Sequence, residues 1–401
     1  MLDTKLVFLI ISPNFPECFY KFAEALKNRG VTVLGISDAF PNEIKPNLRN
    51  ILTEYVQCYN LKNMTSLIDT VNYFIGKYGH IDWIESNNEY WLEQDAMLRE
   101  WFGVRTGIYY SSIAKYKKKS DMKTYFKCAN VPFANYHLSD NYESTLEFAT
   151  KVGFPIFAKP NIGVGALNSF KINNEEELKE FYTKLNNVEY IFEQFIDGDI
   201  YSFDGITNSK GEIIFKDAER FLVNTDQMKT DDTDDAYFVF KDIPSQIDIY
   251  GQRIVEAFNI QNRCFHIEFF LLNKAYPGLG NKGDFIALEV NMRSPGGNTP
   301  DLISFGTGYS YYDIYADSIV FDENRQEKPA NKYFAISVSR KNRFNYVNSL
   351  ETIQRIYKDN IKEEGKYDKA IADVMGDSYF MATFSNVEDA LSFDNFVRSK
   401  L

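Results

Sequence analysis

Apolar and polar positions along this chain switch between two periods. Lys5 to Ser12 is an almost unbroken apolar run, which predicts a buried strand. From Pro16 to Asn28, Phe19, Phe22, Ala23 and Leu26 share one helical face, Gly30 ends the stretch, and Val31 to Ile36 reads as a second strand. Met64–Tyr78 and Glu89–Phe102 carry the helical period on either side of a short strand at Ile81–Glu85. This β-α-β opening predicts a parallel sheet covered by helices over residues 1–115. No G-x-G-x-x-G follows the first strand, so the dinucleotide fingerprint is absent.

A second unit, 116–197, starts with helices at Asp121–Ala129 and Tyr142–Val152. A strand, Phe154-Pro-Ile-Phe-Ala-Lys159-Pro160, then runs into a small-residue loop, Asn161 to Asn168. Ser169–Ile172 and Tyr190–Phe195 read as strands around a helix at Glu175–Leu185. The third unit, 198–330, is rich in strands: Ile200–Thr207, Gly211–Arg220, Cys264–Leu272 and Phe285–Val290. Its acid-rich run Lys229–Asp235 reads as a solvated loop. The last unit, 331–401, reads as β-α-β: Tyr333–Val338, a helix from Leu350, a strand at Asp373–Thr383, and a closing helix from Val387. The fold class is α/β and α+β, in several domains.

With 401 residues, 44% hydrophobic and 16% aromatic, there is material for several cores. The longest plain apolar run, Leu6–Ile11, is far short of the ~20 residues that cross a bilayer, so no membrane partner is expected. Asp3 and Lys5 lead straight into the first strand, which gives no secretory leader and makes the cytoplasm the expected compartment. A net charge of −12 excludes nucleic-acid binding through a general field. The one local basic cluster, Lys115–Lys119, reads equally well as a solvated helix end. Cys18, Cys58, Cys128 and Cys264 are widely spaced, and with only three histidines neither a zinc site nor a disulfide framework is indicated.

Chemistry concentrates in three segments. In Glu289-Val-Asn291-Met-Arg293, side chains two apart on a strand share a face, so Glu289 and Asn291 project together and Arg293 follows at the strand end. His266 and Glu268 share a face in the same way. If those strands are neighbours, Glu268, Glu289 and Asn291 meet as a set of hard oxygen donors suited to Mg²⁺. The turn Ser294-Pro-Gly-Gly-Asn298 can offer backbone N–H groups to an anion beside Arg293. Lys159, closing a strand before Gly163-Val-Gly165-Ala, and Lys123 suit a phosphate cradle, although this is not the GxxxxGK[ST] loop. Glu193, at the end of a strand and three residues before Ile196, can accept from the amine of an adenine.

In this order the segments resemble the ATP-grasp superfamily over about residues 110–320: Asp121-Met-Lys123, Gly153 to Pro160, Gly163-Val-Gly165, Glu193 to Gly205, His266-Ile-Glu268-Phe, and Glu289 to Gly297. The resemblance implies an N-terminal parallel α/β domain, a two-lobed ATP-grasp domain and a small C-terminal α+β domain. It implies that Lys123 and Lys159 hold ATP phosphates beneath the Gly163–Leu167 loop, and that Glu193 and Ile196 flank adenine. It places Mg²⁺, with Mn²⁺ as a substitute, on Glu268, Glu289 and Asn291, and gives Arg293, with Lys159 as the second catalytic residue, the transferring phosphoryl group or the acyl phosphate. Ile200 stands where relatives carry an acid for the ribose, and Asp199 is the substitute. Glu89, in Ser86-Asn-Asn-Glu89-Tyr-Trp91, resembles a family position facing the site, and His266 lies close to it without an assigned proton transfer.

The implied activity is an ADP-forming ligase that joins an amino acid or small carboxylic acid to an amine through an acyl phosphate. The implied partners are those small molecules, and dimers being common among relatives, a homodimer. Two other readings stay open: a nucleotide-binding or regulatory protein that does not ligate, and a carboxyl-activating enzyme with another acceptor such as bicarbonate.

Overall fold

The computed structural model describes residues 5–139, 141–163, 168–185, 188–223, 233–367 and 369–401. The N-terminal sheet holds β1 (Val7–Ile11), β2 (Thr32–Ser37), β3 (Glu54–Gln57) and β4 (Trp83–Glu85), all parallel, in the order β3-β2-β1-β4. The two central strands are buried along their whole length, as their continuous apolar pattern requires. Helices Tyr20–Asn28 and Met64–Tyr78 cover the sheet. The first is shorter than its pattern predicts, because Glu17–Phe19 form a 3-10 turn. Asn63 caps the second by accepting from Ser66 N, and Gly79 ends it at φ 85°.

A second sheet, antiparallel, holds β5 (Tyr136–Leu138), β6 (Ile156–Pro160), β7 (Phe170–Ile172) and β8 (Tyr190–Gln194) in the order β5-β8-β6-β7. The third begins with β9 (Gly198–Thr207), β10 (Ile213–Phe221), β11 (Ala236–Val239), β12 (Cys264–Leu272) and β13 (Phe285–Asn291). It continues through β14 (Phe334–Arg340), β15 (Ile361–Lys366) and β16 (Ser378–Phe384). Their order is β13-β12-β9-β10-β11-β14-β16-β15, so the last three strands extend the sheet of the preceding unit.

One face of β9, β12 and β13 carries an apolar core. Phe203, Phe265, Ile267, Phe269 and Val290 pack with helix Ser245–Phe258, which the sequence pattern left unassigned. Gly251 lets this helix lie flat on the sheet: a Cβ there would come within 2.2 Å of the Phe203 ring. The opposite face is closed at one end by Ile206, Cys264 and Phe215 against helix Tyr311–Phe321.

Two expectations change. The predicted strand at Asp373–Thr383 begins only at Ser378, because Lys369–Met375 form a helix and Gly376, at φ 100°, breaks it. The acid-rich run is not a solvated loop where it is described: Asp234 and Asp235 are buried. Asp234 Oδ1 accepts from Lys341 N and the Tyr346 hydroxyl, and its Oδ2 lies 3.2 Å from Lys400 Nζ. Residues 229–232 lie outside the described residues. Among the described residues, no helix is long and apolar enough to cross a membrane.

Candidate active site

Strand register builds the site. Asp217 on β10 pairs with Asp204 on β9, which pairs with His266 on β12, which pairs with Asn291 on β13. One step along, Glu219 pairs with Ser202, Ser202 with Glu268, and Glu268 with Glu289. Because alternate residues share a face, these eight side chains form a polar band two rows deep. Apolar rows bound it: Phe215, Ile206 and Cys264 on one side, Ile200 and Phe270 on the other.

The expected neighbours Glu268, Glu289 and Asn291 therefore do meet. Asn291 Nδ2 lies 3.4 Å from Glu268 Oε1. Side-chain exposures of 24% for Glu268 and 22% for Glu289 leave both carboxylates open to a ligand. Burial alone would raise the Glu268 carboxyl, but His266, Arg293 and Lys159 hold it below the ordinary range. Burial disfavours the charged form of His266, yet Asp204, 2.6 Å from Nδ1, holds its pKa at about 10. The two carboxylates favour the cationic form of His266 and hold it between Asp204 and Glu268.

The other wall comes from the second sheet. Lys159 ends β6 and Glu193 lies on the adjacent β8, while Lys123 comes from helix Lys119–Cys128. Glu193 bridges the two lysines, with Lys123 Nζ at 2.6 Å and Lys159 Nζ at 2.7 Å. Burial would raise its carboxyl, but the two ammonium groups outweigh it and hold the pKa at about 2. Burial and the neighbouring Lys159 push Lys123 down against the pull of Glu193. For Lys159, burial is outweighed by Glu193, Glu289 and Glu268, and its pKa is raised. The two walls thus feel each other directly. Lys119, read in the sequence as part of a solvated helix end, is buried instead: its Nζ lies 3.1 Å from Glu289 Oε1 and 3.2 Å from the Gly163 carbonyl.

The remaining expected residues are placed as follows. Ile196 sits in a small apolar cluster with Ala134, Leu272, Tyr276 and Ile286. Asp199 is engaged by Arg220 at 2.9 Å and by Asn273 at 3.3 Å. Gly165 lies outside the described residues. Arg293 Nη1 donates to the Ser294 carbonyl at 2.8 Å, and its charge reaches Glu89, Glu219 and Glu268. Glu89 enters from the N-terminal domain beside Lys117, 3.6 Å away, and burial pushes its carboxyl up.

Sequence reasoning missed what holds Arg293 there. Arg263, just before β12, makes a two-pronged ion pair with Glu85 of β4 at 2.5 and 3.0 Å. It also donates to the Met292 carbonyl, one residue before Arg293, at 2.8 Å. It missed Asp204, Asp217 and Glu219 as well. Asp217 and Glu219 stand two apart and so share a face of β10, which was their signal, while Asp204 interrupts the apolar run of β9.

No family model matches the chain. It is similar to an L-arginine-specific L-amino acid ligase of Bacillus subtilis, 25% identical over 237 residues, 57% of this chain and 55% of that protein. It is also similar to a D-alanine–D-alanine ligase of Flavobacterium johnsoniae, 36% identical over 110 residues, 26% of this chain and 33% of that protein. The chain thus spans about half or less of the curated relatives it matches. Among solved structures, an L-amino acid ligase from Bacillus licheniformis superposes with a TM-score of 0.74 at 15% identity, covering 98% of this chain and 96% of that one. The biotin carboxylase domain dimer of a Hydrogenobacter thermophilus 2-oxoglutarate carboxylase, in complex with MgADP, ADP and bicarbonate, gives 0.70 at 15% identity, over 97% and 88%. The chain has the ATP-grasp fold that its motifs resemble.

Proposed function

We propose that this protein is an ADP-forming, ATP-dependent carboxylate–amine ligase that joins an amino acid or small carboxylic acid to an amine. The observation that carries the reading is the convergence of two walls: the Lys123–Glu193–Lys159 bridge on one side, and Glu268, Glu289, Asn291 and Arg293 on the other. Phosphoryl transfer between two anions needs this concentration of positive charge and oxygen donors.

The side chains suit MgATP. Glu268, Glu289 and Asn291 supply hard oxygens on adjacent strands, partly open to solvent. Mg²⁺, with Mn²⁺ as the substitute to test, would neutralise phosphate charge there. Lys123 and Lys159 would exchange part of their bond to Glu193 for ATP phosphates, and Glu193 would then be free to accept from adenine beside the apolar Ile196. Lys119 ties the start of the Gly163 loop to Glu289. Arg293 would orient the substrate carboxylate for in-line attack on the γ-phosphorus, which gives an acyl phosphate and ADP. The amine then displaces phosphate. His266, held between Asp204 and Glu268, would support Glu268 electrostatically.

The test is ADP and phosphate release from MgATP with amino acids and small carboxylic acids, singly and in pairs, followed by mass spectrometry. Release that needs both an acid and an amine, with a product lighter by one water, supports the ligase. Bicarbonate-dependent release would point to the other acceptor, and ATP binding without stimulated release would point to a nucleotide-binding protein. Ile200, packed in the apolar row beside Phe270, supplies no carboxylate for a ribose, so nucleotide affinity should be measured alongside. A cytoplasmic homodimer completes the proposal, and analytical ultracentrifugation tests the assembly.

A further inference from the structure

Two members of the polar band are left over by this chemistry. Asp217 and Glu219 lie on β10, two strands away from the nearest proposed metal ligand. They are 3% and 1% exposed. Both carboxylate oxygens of Glu219, and Oδ2 of Asp217, have no hydrogen-bond partner among the described residues. Among the described residues Asp217 Oδ1 accepts from the Ala218 amide, at 2.8 Å, and from no other donor. Burial pushes both carboxyls well above the ordinary range, with Asp204 adding to it and His266 and Arg293 acting against it at Glu219. An acid buried without a partner costs stability, so its retention needs a reason outside the apo fold.

We propose that Asp217 and Glu219 form the seat of a positively charged nitrogen group of the substrate, either an α-ammonium or a basic side chain. The inference rests on the ligase reading and names the substrate class. An ammonium or guanidinium brings several donors to acceptors that otherwise have none. Arg293 is close enough for its charge to act on Glu219. A molecule with a carboxylate at Arg293 can therefore set its cationic end against β10. Phe221, two residues past Glu219 on the same face of β10, stacks on Tyr237 with ring centroids 5.8 Å apart, and its ring meets the His266 ring at 6.4 Å. A cation beside such rings gains further attraction.

The test is equilibrium binding by calorimetry with Mg²⁺ and a non-hydrolysable ATP analogue. The probes are lysine, arginine, alanine and leucine, each beside its counterpart lacking the α-amino group. In the native protein at least one amino acid should bind tenfold or more tightly than its deaminated counterpart, or a basic one than the neutral ones. The first pattern identifies the α-ammonium and the second the side chain. Glu219→Gln, which keeps the shape, should erase that preference while its thermal midpoint stays equal or rises; Asp217→Asn should weaken the preference in the same direction. A preference that survives Glu219→Gln, or no preference for any cation in the native protein, overturns the proposal. A loss of stability in both variants assigns the acids a structural role and overturns it too. The ligase reading fails separately, if a compound that binds stimulates no ADP release with any paired acid or amine.

Discussion

Glu85 and Glu219 are both carboxylates buried between strands, and their oxygens keep opposite company. Glu85 Oε2 receives Arg263 at 2.5 Å and Arg99 at 3.2 Å; Oε1 receives Arg263 at 3.0 Å and the amides of Ser86 and Asn87 at 3.2 and 3.3 Å. Burial works against its charge, and the two guanidinium groups hold its pKa below the ordinary value. Glu219 has no such partners, and burial drives it the other way. A saturated buried acid serves architecture: Glu85 fastens the N-terminal sheet to the strand end that presents Arg293. An unsaturated one beside the same arginine is an acceptor awaiting a donor.

The most damaging way to probe this contrast is Arg263→Ala. It takes from Glu85 the closer of its two guanidinium partners, leaving Arg99 and two backbone amides, and frees the Met292 carbonyl. Breaking one side of a buried pair costs about 3–5 kcal/mol, which urea unfolding should register as a lower midpoint. Next is Glu289→Gln. Its carboxylate is partly open and pairs with Lys119. The variant should lose metal-dependent turnover by about 100-fold, a barrier increase of about 2.7 kcal/mol, while its unfolding midpoint stays close to native. Turnover near the native rate would remove Glu289 from the metal site.

The sequence carried the elements with a clean period. Met64–Tyr78 and Tyr142–Val152 have the ends their patterns predict, because each has an Asn cap and a Gly stop. It also carried the pairing of Glu268 with Glu289, since both acids interrupt apolar strands. It could not carry what depends on which strands become neighbours. β10 is joined to β9 by a hairpin, but only the register sets Asp217 opposite Asp204, and Asp204 in turn beside His266. Lys119 is similar. Within a run of lysines it looks solvated, and only the approach of the second sheet buries it against Glu289. Helices Thr299–Thr307 and Tyr311–Phe321 escaped notice because they are buried on nearly all sides and show no polar face.

Glu193 lies between the two extremes, ion-paired with lysines that ATP would compete for. Its folded pKa of about 2 lies below the ordinary 4.5. Its ionic contribution to stability is therefore fully present above about pH 4.5 and is lost as pH falls toward 2. The stability gap between native protein and Glu193→Gln should be constant above pH 5 and narrow below 4.5, by at most about 3 kcal/mol. A gap independent of pH would mean that the bridge is not ionic.

The gentlest probe separates missing partners from location. Asp235 at the head of β11 is buried, its Oδ1 has no partner among the described residues, and burial raises its pKa from 3.8 to about 7. The charges nearest to it are Arg398, Lys341 and Asp394, and Arg293 is not among them. An acid whose folded pKa is raised contributes fully below the unfolded value and loses that contribution as pH climbs through the folded one. Asp235→Asn should thus match the native protein near pH 4 and exceed it above pH 7, by about 1–2 kcal/mol once the cost of the new buried amide is included. Chemical denaturation at both pH values reads this directly. The variant should leave the cation preference of the substrate site unchanged, unlike Glu219→Gln. If it altered that preference as much, a missing partner alone would not mark a binding group, and the contrast between Glu85 and Glu219 would lose its functional meaning.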